Sequence, residues 1–201
     1  MIRAIFTDLG GVILTNGWDH VGRQNAVDHF GLDRAEFFQR HEMVFGAYEE
    51  GQMSLDEYLA FAVFYCARGF SKAEFTTYIK EQSEPLPGMI DLMCKVKKES
   101  GRPVFALSNE GREIAQYRID TFALRDLADA FIVSGFVGMR KPAMGIYKLT
   151  LDIAQVEPNE ALYIDDRESL IEAGARAGLV TLWHQDIKTT KEALRRHGLL
   201  K

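Results

Sequence analysis

The sequence has few cysteines, no long apolar run and no excess of basic residues. Its 201 residues include two cysteines, Cys66 and Cys94, whose spacing fits neither a metal site nor a disulfide framework. Both lie in apolar stretches with helical periodicity, so we expect buried free thiols in a reducing compartment. The pattern excludes the class of small secreted domains that are held together by disulfides.

The missing apolar and basic segments exclude two further classes of protein. No apolar run approaches the length of a membrane-spanning helix, and the apolar N-terminus is interrupted by Asp8 with no cleavage-site pattern after it. The formal net charge of −5 disfavours a nucleic-acid partner, because a phosphate backbone is normally met by a basic face. We therefore expect a cytoplasmic protein without membrane or nucleic-acid contacts, and the oligomeric state is left open.

Short apolar segments alternate with helical segments along most of the chain. Each apolar segment is brief, rich in β-branched or aromatic residues, and bounded by polar residues or glycine, as buried parallel strands are. Strands are predicted at residues 2–7, 104–107, 131–133, 161–164 and 180–183. Helices are predicted at residues 89–98, 113–122, 146–153 and 169–177. This alternation predicts an α/β fold with a Rossmann-like, doubly wound parallel sheet.

Residues 15–84 interrupt this alternation, because their periodicity is helical throughout. Capping-box patterns precede two of the helices, with Glu57 three positions after Ser54 and Glu74 three positions after Ser71. The predicted helices span residues 21–30, 34–45, 55–68 and 72–81. We therefore predict a helical cap of residues 15–84 inserted into a catalytic core formed by residues 1–14 and 85–201.

Polar side chains follow four of the predicted strands at the points where these strands end. In an open α/β sheet, functional groups gather at the carboxyl ends of the strands. Here these ends carry a carboxylate, a hydroxyl and an amide, an ammonium group and a carboxylate pair. In chain order they are Asp8, Ser108 and Asn109, Lys141, and Asp165 and Asp166.

This set of groups suits phosphoryl transfer. Closely placed carboxylates are costly unless a hard cation such as Mg²⁺ lies among them. Lys141 and the Ser108 hydroxyl can stabilise charge on the non-bridging oxygens of a transferring phosphoryl group. Asp8 can then act as the nucleophile and form an aspartyl-phosphate that water cleaves.

The chain resembles the haloacid dehalogenase-like superfamily in four ordered motifs. These are IFTDLGGVI at residues 5–13, LSN at 107–109, GMRKP at 138–142 and YIDDR at 163–167. The resemblance implies that Asp8 is the nucleophile and that Ser108, Asn109 and Lys141 bind phosphate. It also implies that Asp166 ligates Mg²⁺ together with Asp8 and the Gly10 carbonyl, while Asp165 assists directly or through water.

The first motif, Asp-Leu-Gly-Gly, is similar to that of a subgroup that includes phosphatases of sugar phosphates. The resemblance therefore implies a Mg²⁺-dependent phosphatase acting on a small phosphorylated metabolite. Most phosphatases of the superfamily carry a second aspartate two positions after the nucleophile as general acid and base, and this chain has Gly10 there.

The glycine leaves two inferences open. Either another side chain supplies the proton, with Asp19 and His20 as candidates, or the substrate has an acidic leaving group. Our hypothesis is the second, for example a sugar 1-phosphate or an acyl phosphate. Two other functions also stay open, namely a metal-independent 2-haloacid dehalogenase and a catalytically weak binding or regulatory relative.

Overall fold

The computed structural model describes all 201 residues and contains one five-stranded parallel sheet. Its strands are β1 (Ala4–Thr7), β2 (Val104–Ser108), β3 (Ala130–Val133), β4 (Ala161–Asp165) and β5 (Val180–Trp183). They lie in the order β3-β2-β1-β4-β5, so the chain builds one half of the sheet, then crosses to the other side of β1. The predicted doubly wound sheet is confirmed, and each predicted strand lies within two residues of an observed one.

Ten α-helices accompany the sheet. They are α1 (His20–Phe30), α2 (Arg34–Glu49), α3 (Leu55–Ala62), α4 (Lys72–Glu81), α5 (Met89–Ser100), α6 (Arg112–Thr121), α7 (Ser134–Val137), α8 (Met144–Ala154), α9 (Glu168–Arg176) and α10 (Ile187–Arg196). None of them combines the length and apolar character needed to cross a membrane. Both capping boxes are formed, with the side chains of Ser54 and Ser71 accepting bonds from the backbone of Glu57 and Glu74.

The sheet is covered on both faces by apolar side chains. Successive side chains of β1 point to opposite faces of the sheet. Ile5 belongs to a cluster of 23 buried residues that includes side chains of α5 and α10. Its neighbour Phe6 points to the opposite face, into a cluster of 11 residues that includes α8 and α9. Burial on both faces explains why the strands read as continuous apolar runs.

Helices α1 to α4 enclose a separate apolar cluster of 14 buried residues, which extends from Trp18 to Ile79 and adds Ile114 from α6. Two chain segments connect this helical part to the sheet. They cross side by side, with the amide of Thr15 donating to the Glu84 carbonyl at 2.8 Å. This crossing lies at the boundaries that we predict for the cap, residues 15–84, and the division of the chain there remains our proposal.

Two sequence predictions need correction. The helix predicted at residues 55–68 ends at Ala62, where the amides of Val63 and Phe64 both donate to the Leu59 carbonyl. The Arg68 side chain then satisfies the Val63 carbonyl at 2.7 Å, so the helix is closed off and the chain turns.

The expectation of two buried thiols is also wrong. Cys66 is exposed, because it lies in the turn after Ala62, where helical periodicity no longer applies. Cys94 is half-buried at the margin of the packed face of α5.

Candidate active site

Asp8 lies directly after the central strand β1, at the carboxyl edge of the sheet, and is 6% exposed. One carboxylate oxygen accepts the amide of Leu9 at 2.7 Å. The other lies 3.1 Å from the ammonium nitrogen of Lys141. The carboxylate is therefore fixed in orientation by its own turn and by one buried cation.

Lys141 connects two carboxylates at this edge. Its ammonium nitrogen lies 2.7 Å from Oδ2 of Asp165 as well as 3.1 Å from Asp8. The same Asp165 oxygen accepts the hydroxyl of Tyr163, and the other accepts the amide of Arg167 at 2.9 Å. Both oxygens of Asp165 are thus already engaged within the protein.

Burial and neighbouring charges shift these groups in different directions. Burial, together with the charge of Asp165, raises the pKa of Asp8 from 3.8 to about 6, although Lys141 and the Ser108 hydroxyl act against the rise. Burial raises the pKa of Asp165 too, but Lys141 and the hydrogen bonds from Tyr163 and the Arg167 amide together outweigh it, so the net pKa is lowered. Burial works against the charge of Lys141, yet the two carboxylates hold its pKa above the ordinary value.

Asp166 differs from Asp165 because one of its oxygens has no partner. Its Oδ2 accepts the side-chain amide of Asn16 at 3.2 Å, whereas its buried Oδ1 has no hydrogen-bond partner. Carboxylate oxygens of Asp8, Asp165 and Asp166 lie within 4.8 Å of one another. Three converging carboxylates with an unpartnered buried oxygen fit a hard divalent cation such as Mg²⁺, which takes oxygen ligands.

Gly11 makes room for this cluster. Its φ is +71°, and a Cβ there would lie 2.0 Å from Oδ2 of Asp166. Gly10, one residue earlier, has no side chain beside Asp8, and a Cβ there would face Asn16 at 3.1 Å and Arg118 at 3.9 Å. The two glycines therefore let the backbone and Asp166 approach each other closely, which a side chain at Gly11 would prevent.

Ser108 ends β2 and Asn109 follows it at the same edge, but the two side chains have different surroundings. The Ser108 hydroxyl lies beside Asp8 and donates to Glu110 at 3.1 Å. Both polar atoms of the Asn109 side chain bond the backbone of Lys141, each at 2.8 Å. The structure thus places the six predicted strand-end residues and Gly10 at one edge, with Asn109 holding the Lys141 backbone.

Two buried side chains at this edge were missed by the sequence analysis. Arg118 of α6 is 1% exposed and donates to Glu110 at 2.6 Å, and its second nitrogen donates to the Thr15 carbonyl. Glu110 directly follows the Ser108-Asn109 motif, which could have drawn attention to it. No sequence signal distinguishes Arg118 from the other arginines of the chain.

Asn16 and Tyr163 were missed as well. Tyr163 lies two positions before Asp165 on β4, so strand alternation could have placed both side chains on one face. Asn16 follows the turn at Gly11, and nothing local in the sequence marks it as a partner of Asp166.

Asp8 opens into a small cavity of about 30 Å³, lined also by Ser108, Glu110, Arg118 and Lys141. Such a volume holds about two water molecules. On the other side of Asp166 lies an open cleft of about 730 Å³ that reaches solvent.

The two candidates for a substitute proton donor lie away from the Asp8 cavity. Asp19 caps the first turn of α1 by accepting the Gly22 amide at 2.8 Å, and it lines the open cleft. His20 is exposed and bonded to Gln24. Neither side chain lines the cavity of Asp8.

A family model described as haloacid dehalogenase-like hydrolase matches residues 2–178. The chain belongs to this family. Among curated relatives of this haloacid dehalogenase-like hydrolase, a D-ribitol-5-phosphate phosphatase of Bacteroides thetaiotaomicron is 27% identical over 207 residues. The match covers 93% of this chain and 97% of the relative.

Solved structures share the fold of this haloacid dehalogenase-like hydrolase. A family enzyme of Bacteroides thetaiotaomicron, solved as a magnesium complex, superposes with a TM-score of 0.82 at 20% identity, covering 96% of this chain and 98% of that one. The same enzyme was also solved with magnesium and inorganic phosphate, with a TM-score of 0.75 at 21% identity and 92% and 95% coverage. A dehalogenase superposes with a TM-score of 0.65 at 19% identity, covering 90% and 84%.

Proposed function

We propose that this hydrolase is a Mg²⁺-dependent phosphomonoesterase that acts on a small phosphorylated metabolite, sugar phosphates included, through an aspartyl-phosphate on Asp8. One observation carries the proposal: a buried oxygen of Asp166 is left without a partner beside two further carboxylates. A metal-independent dehalogenase has no use for such a cluster. The Bacteroides relative named for D-ribitol 5-phosphate and its family's magnesium and phosphate complexes support the same reading.

The chain's own residues supply the nucleophile and hold the phosphoryl group. A carboxylate oxygen of Asp8 forms a bond to phosphorus as the bond from phosphorus to the ester oxygen breaks. Lys141 and the Ser108 hydroxyl stabilise the negative charge on the phosphoryl oxygens. Water then cleaves the aspartyl-phosphate, which releases inorganic phosphate and returns the Asp8 carboxylate.

We propose Asp8, Asp166 and the Gly10 carbonyl as the Mg²⁺ ligands. We propose that Asp165 serves mainly to fix Lys141, whose ammonium nitrogen lies 2.7 Å from its Oδ2. A bound Mg²⁺ supplies positive charge beside the carboxylates and the phosphate oxygens.

The leaving oxygen takes its proton from water in this proposal. Gly10 has no side chain to donate one. The two carboxylates raise the pKa of Lys141, so its ammonium group gives up a proton less readily than an ordinary lysine does. General acid catalysis typically contributes about 10²–10⁴-fold. We therefore keep the hypothesis that the preferred substrates have acidic leaving groups, such as the anomeric hydroxyl of a sugar 1-phosphate or an acyl phosphate.

The deciding experiment measures phosphate release from a panel of phosphorylated metabolites, with Mg²⁺ and with EDTA, for the wild type and Asp8→Asn. We expect release that requires Mg²⁺ and is lost in Asp8→Asn. Metal-independent release of halide from 2-haloacids would replace the phosphatase by a dehalogenase. Ligand binding with no turnover of any substrate would replace it by a catalytically weak relative.

The leaving-group hypothesis has a separate test within the same panel. We expect kcat/KM for a sugar 1-phosphate to exceed that for the matching 6-phosphate, whose leaving alcohol is less acidic. Equal values would remove the hypothesis and leave the phosphatase proposal intact.

A further inference from the structure

A second small cavity, of about 40 Å³, lies between the cap and the core. It shares Asn16, Asn109, Glu110 and Arg118 with the cavity that contains Asp8. Three of its six remaining lining residues are aromatic side chains of the cap, namely Trp18, Phe45 and Tyr48. A molecule whose phosphate meets Asp8 would therefore extend into this cavity with the rest of its atoms.

Three polar atoms on the lining residues of this cavity are buried and have no hydrogen-bond partner. They are the Tyr48 hydroxyl, Oε2 of Glu110 and Nε of Arg118. Buried polar side-chain atoms in folded proteins almost always have a partner, so three exceptions around one cavity call for an explanation. One atom donates, one accepts and one can do both, which is the combination that binds hydroxyl groups.

The three side chains are fixed in place by their other contacts. Oε1 of Glu110 accepts from Arg118 at 2.6 Å and from the Ser108 hydroxyl at 3.1 Å. The Tyr48 ring stacks on Tyr58 with ring centroids 4.8 Å apart, and it packs so closely on Gly111 that a Cβ there would lie 2.1 Å from the ring. The unpartnered atoms are therefore preorganised, and a ligand that meets them loses little side-chain entropy.

Size and charge restrict the group that fits. A volume of about 40 Å³ holds about three water molecules, which corresponds to a fragment of two or three carbons with their hydroxyls. Glu49 and Glu110 line the cavity, and their cationic partners Arg140 and Arg118 are already paired with them. Arg118 is the one cationic side chain among the lining residues, and it is paired with Glu110, so the lining itself favours a neutral group with C–H faces against the aromatic rings.

We propose that this cavity is the leaving-group subsite, and that Tyr48, Glu110 and Arg118 recognise the hydroxyl groups of a short, neutral polyol phosphate. The inference rests on the proposed function, because it assumes that the phosphate lies at Asp8. It is independent of the leaving-group hypothesis, which concerns only the oxygen bonded to phosphorus and not the atoms beyond it.

The test measures binding, so it does not require turnover. The Asp8→Asn protein in Mg²⁺ is titrated with glycerol 3-phosphate, with n-propyl phosphate, which lacks the hydroxyls, and with phosphoglycolate, which replaces them by a carboxylate. We expect glycerol 3-phosphate to bind at least about tenfold more tightly than either analogue, since each lost hydrogen bond leaves buried groups unpaired. Equal affinities, or a preference for phosphoglycolate, would overturn the proposal.

A second variant separates recognition from folding. Tyr48→Phe, made in the Asp8→Asn protein, removes only the hydroxyl, and we expect it to reduce the preference for glycerol 3-phosphate over n-propyl phosphate several-fold. The melting temperature should not fall, because the hydroxyl has no partner in the free protein. Tyr78→Phe, at a half-buried tyrosine of the cap that does not line this cavity, is the matched control and should leave the preference unchanged.

The outcomes keep the two proposals apart. A preference that persists in Tyr48→Phe, or a marked loss of stability in that variant, contradicts the subsite. Mg²⁺-dependent hydrolysis by the wild type without any preference for hydroxyls removes the subsite and leaves the phosphatase. A preference for hydroxyls in binding, without hydrolysis of any substrate, removes the phosphatase and leaves the subsite as a binding site.

Discussion

The sheet edge and the cap face each other across the candidate site, yet their polar groups are arranged differently. At the edge, Lys141 lies between Asp8 and Asp165, and each of these groups has close partners within the protein. On the cap side, the Tyr48 hydroxyl is buried without any partner. Oδ1 of Asp166 is the exception at the edge, and we propose that a metal completes it there, whereas we propose that a substrate hydroxyl completes Tyr48 on the cap side.

Burial shifts the pKa of one group upward in the core and of another downward in the cap. In the core, burial raises the pKa of the Asp8 carboxyl to about 6. In the cap, burial lowers the pKa of His41 from 6.5 to about 3, and Arg23 adds to the shift. In both cases the low-dielectric interior disfavours the charged form. For Asp8 this cost of burying a charge falls on the proposed nucleophile, while for His41 it falls on a side chain packed inside the cap.

The largest expected effect comes from replacing the proposed nucleophile at the sheet edge. Asp8→Asn should lower kcat for phosphate release by about 10⁴-fold or more, because the amide cannot form the aspartyl-phosphate. Phosphate release and circular dichroism are measured together. Asp152→Asn, on the exposed face of α8, is the control and should keep full activity. Substantial release by Asp8→Asn would exclude Asp8 as the nucleophile.

Breaking the link between edge and cap should mainly reduce stability. Arg118 bonds both Glu110 and the Thr15 carbonyl, so Arg118→Met leaves a buried carboxylate without its cation. We expect the free energy of unfolding in urea to fall by about 3–5 kcal/mol. Arg125→Met removes an exposed ion pair with Asp120 and should change stability little. A similarly small effect of Arg118→Met would show that the buried pair does not hold the two regions together.

Two glycines with the same left-handed backbone conformation, one at the edge and one in the cap, allow a matched comparison. Gly11 and Gly31 have φ of +71° and +60°, but only at Gly11 would a Cβ collide with Asp166. Both substitutions to alanine should cost about 1 kcal/mol of stability for the left-handed conformation. Gly11→Ala should in addition lower kcat/KM about 100-fold and raise the Mg²⁺ concentration needed for activity. Equal activity of the two variants would contradict the crowded position of Asp166.

The smallest effect concerns the cap alone. The unfolded chain protonates His41 near pH 6.5 and the folded chain only near pH 3, so unfolding takes up a proton between these values. Stability from this group is present above pH 6.5 and is lost as the pH falls, by about 1 kcal/mol per pH unit. Urea unfolding at pH 7 and pH 5 should therefore show a smaller pH dependence in His41→Gln than in the wild type. His29→Gln removes an exposed histidine and should behave as the wild type does.

The sequence was sufficient for the fold because its signals are local. The strands on either side of the site read as apolar runs, and the capping boxes at Ser54 and Ser71 fixed the starts of two cap helices. The end of α3 was misjudged because the Arg68 side chain, six residues beyond Ala62, satisfies a backbone carbonyl there. Such a contact leaves no periodic signal.

The candidate site also has a part that the sequence predicts and a part that only the fold decides. By itself the sequence determined that Asp8, Ser108 and Asp165 lie together, because a parallel sheet brings all of its strand ends to one edge. Only the tertiary structure decided that Asp165 is fully engaged and Asp166 is not, because the partners Lys141, Tyr163 and Asn16 reach them from three different segments.

The cap side of the site was beyond the sequence for the same physical reason. Arg118 meets the Thr15 carbonyl across 103 positions of the chain, and Tyr48 meets Gly111 only where the cap packs on the core. Strand ends follow from chain direction and topology, which the sequence encodes locally. Unpartnered atoms around a cavity depend on how distant side chains pack, and this is settled only when the whole chain has folded.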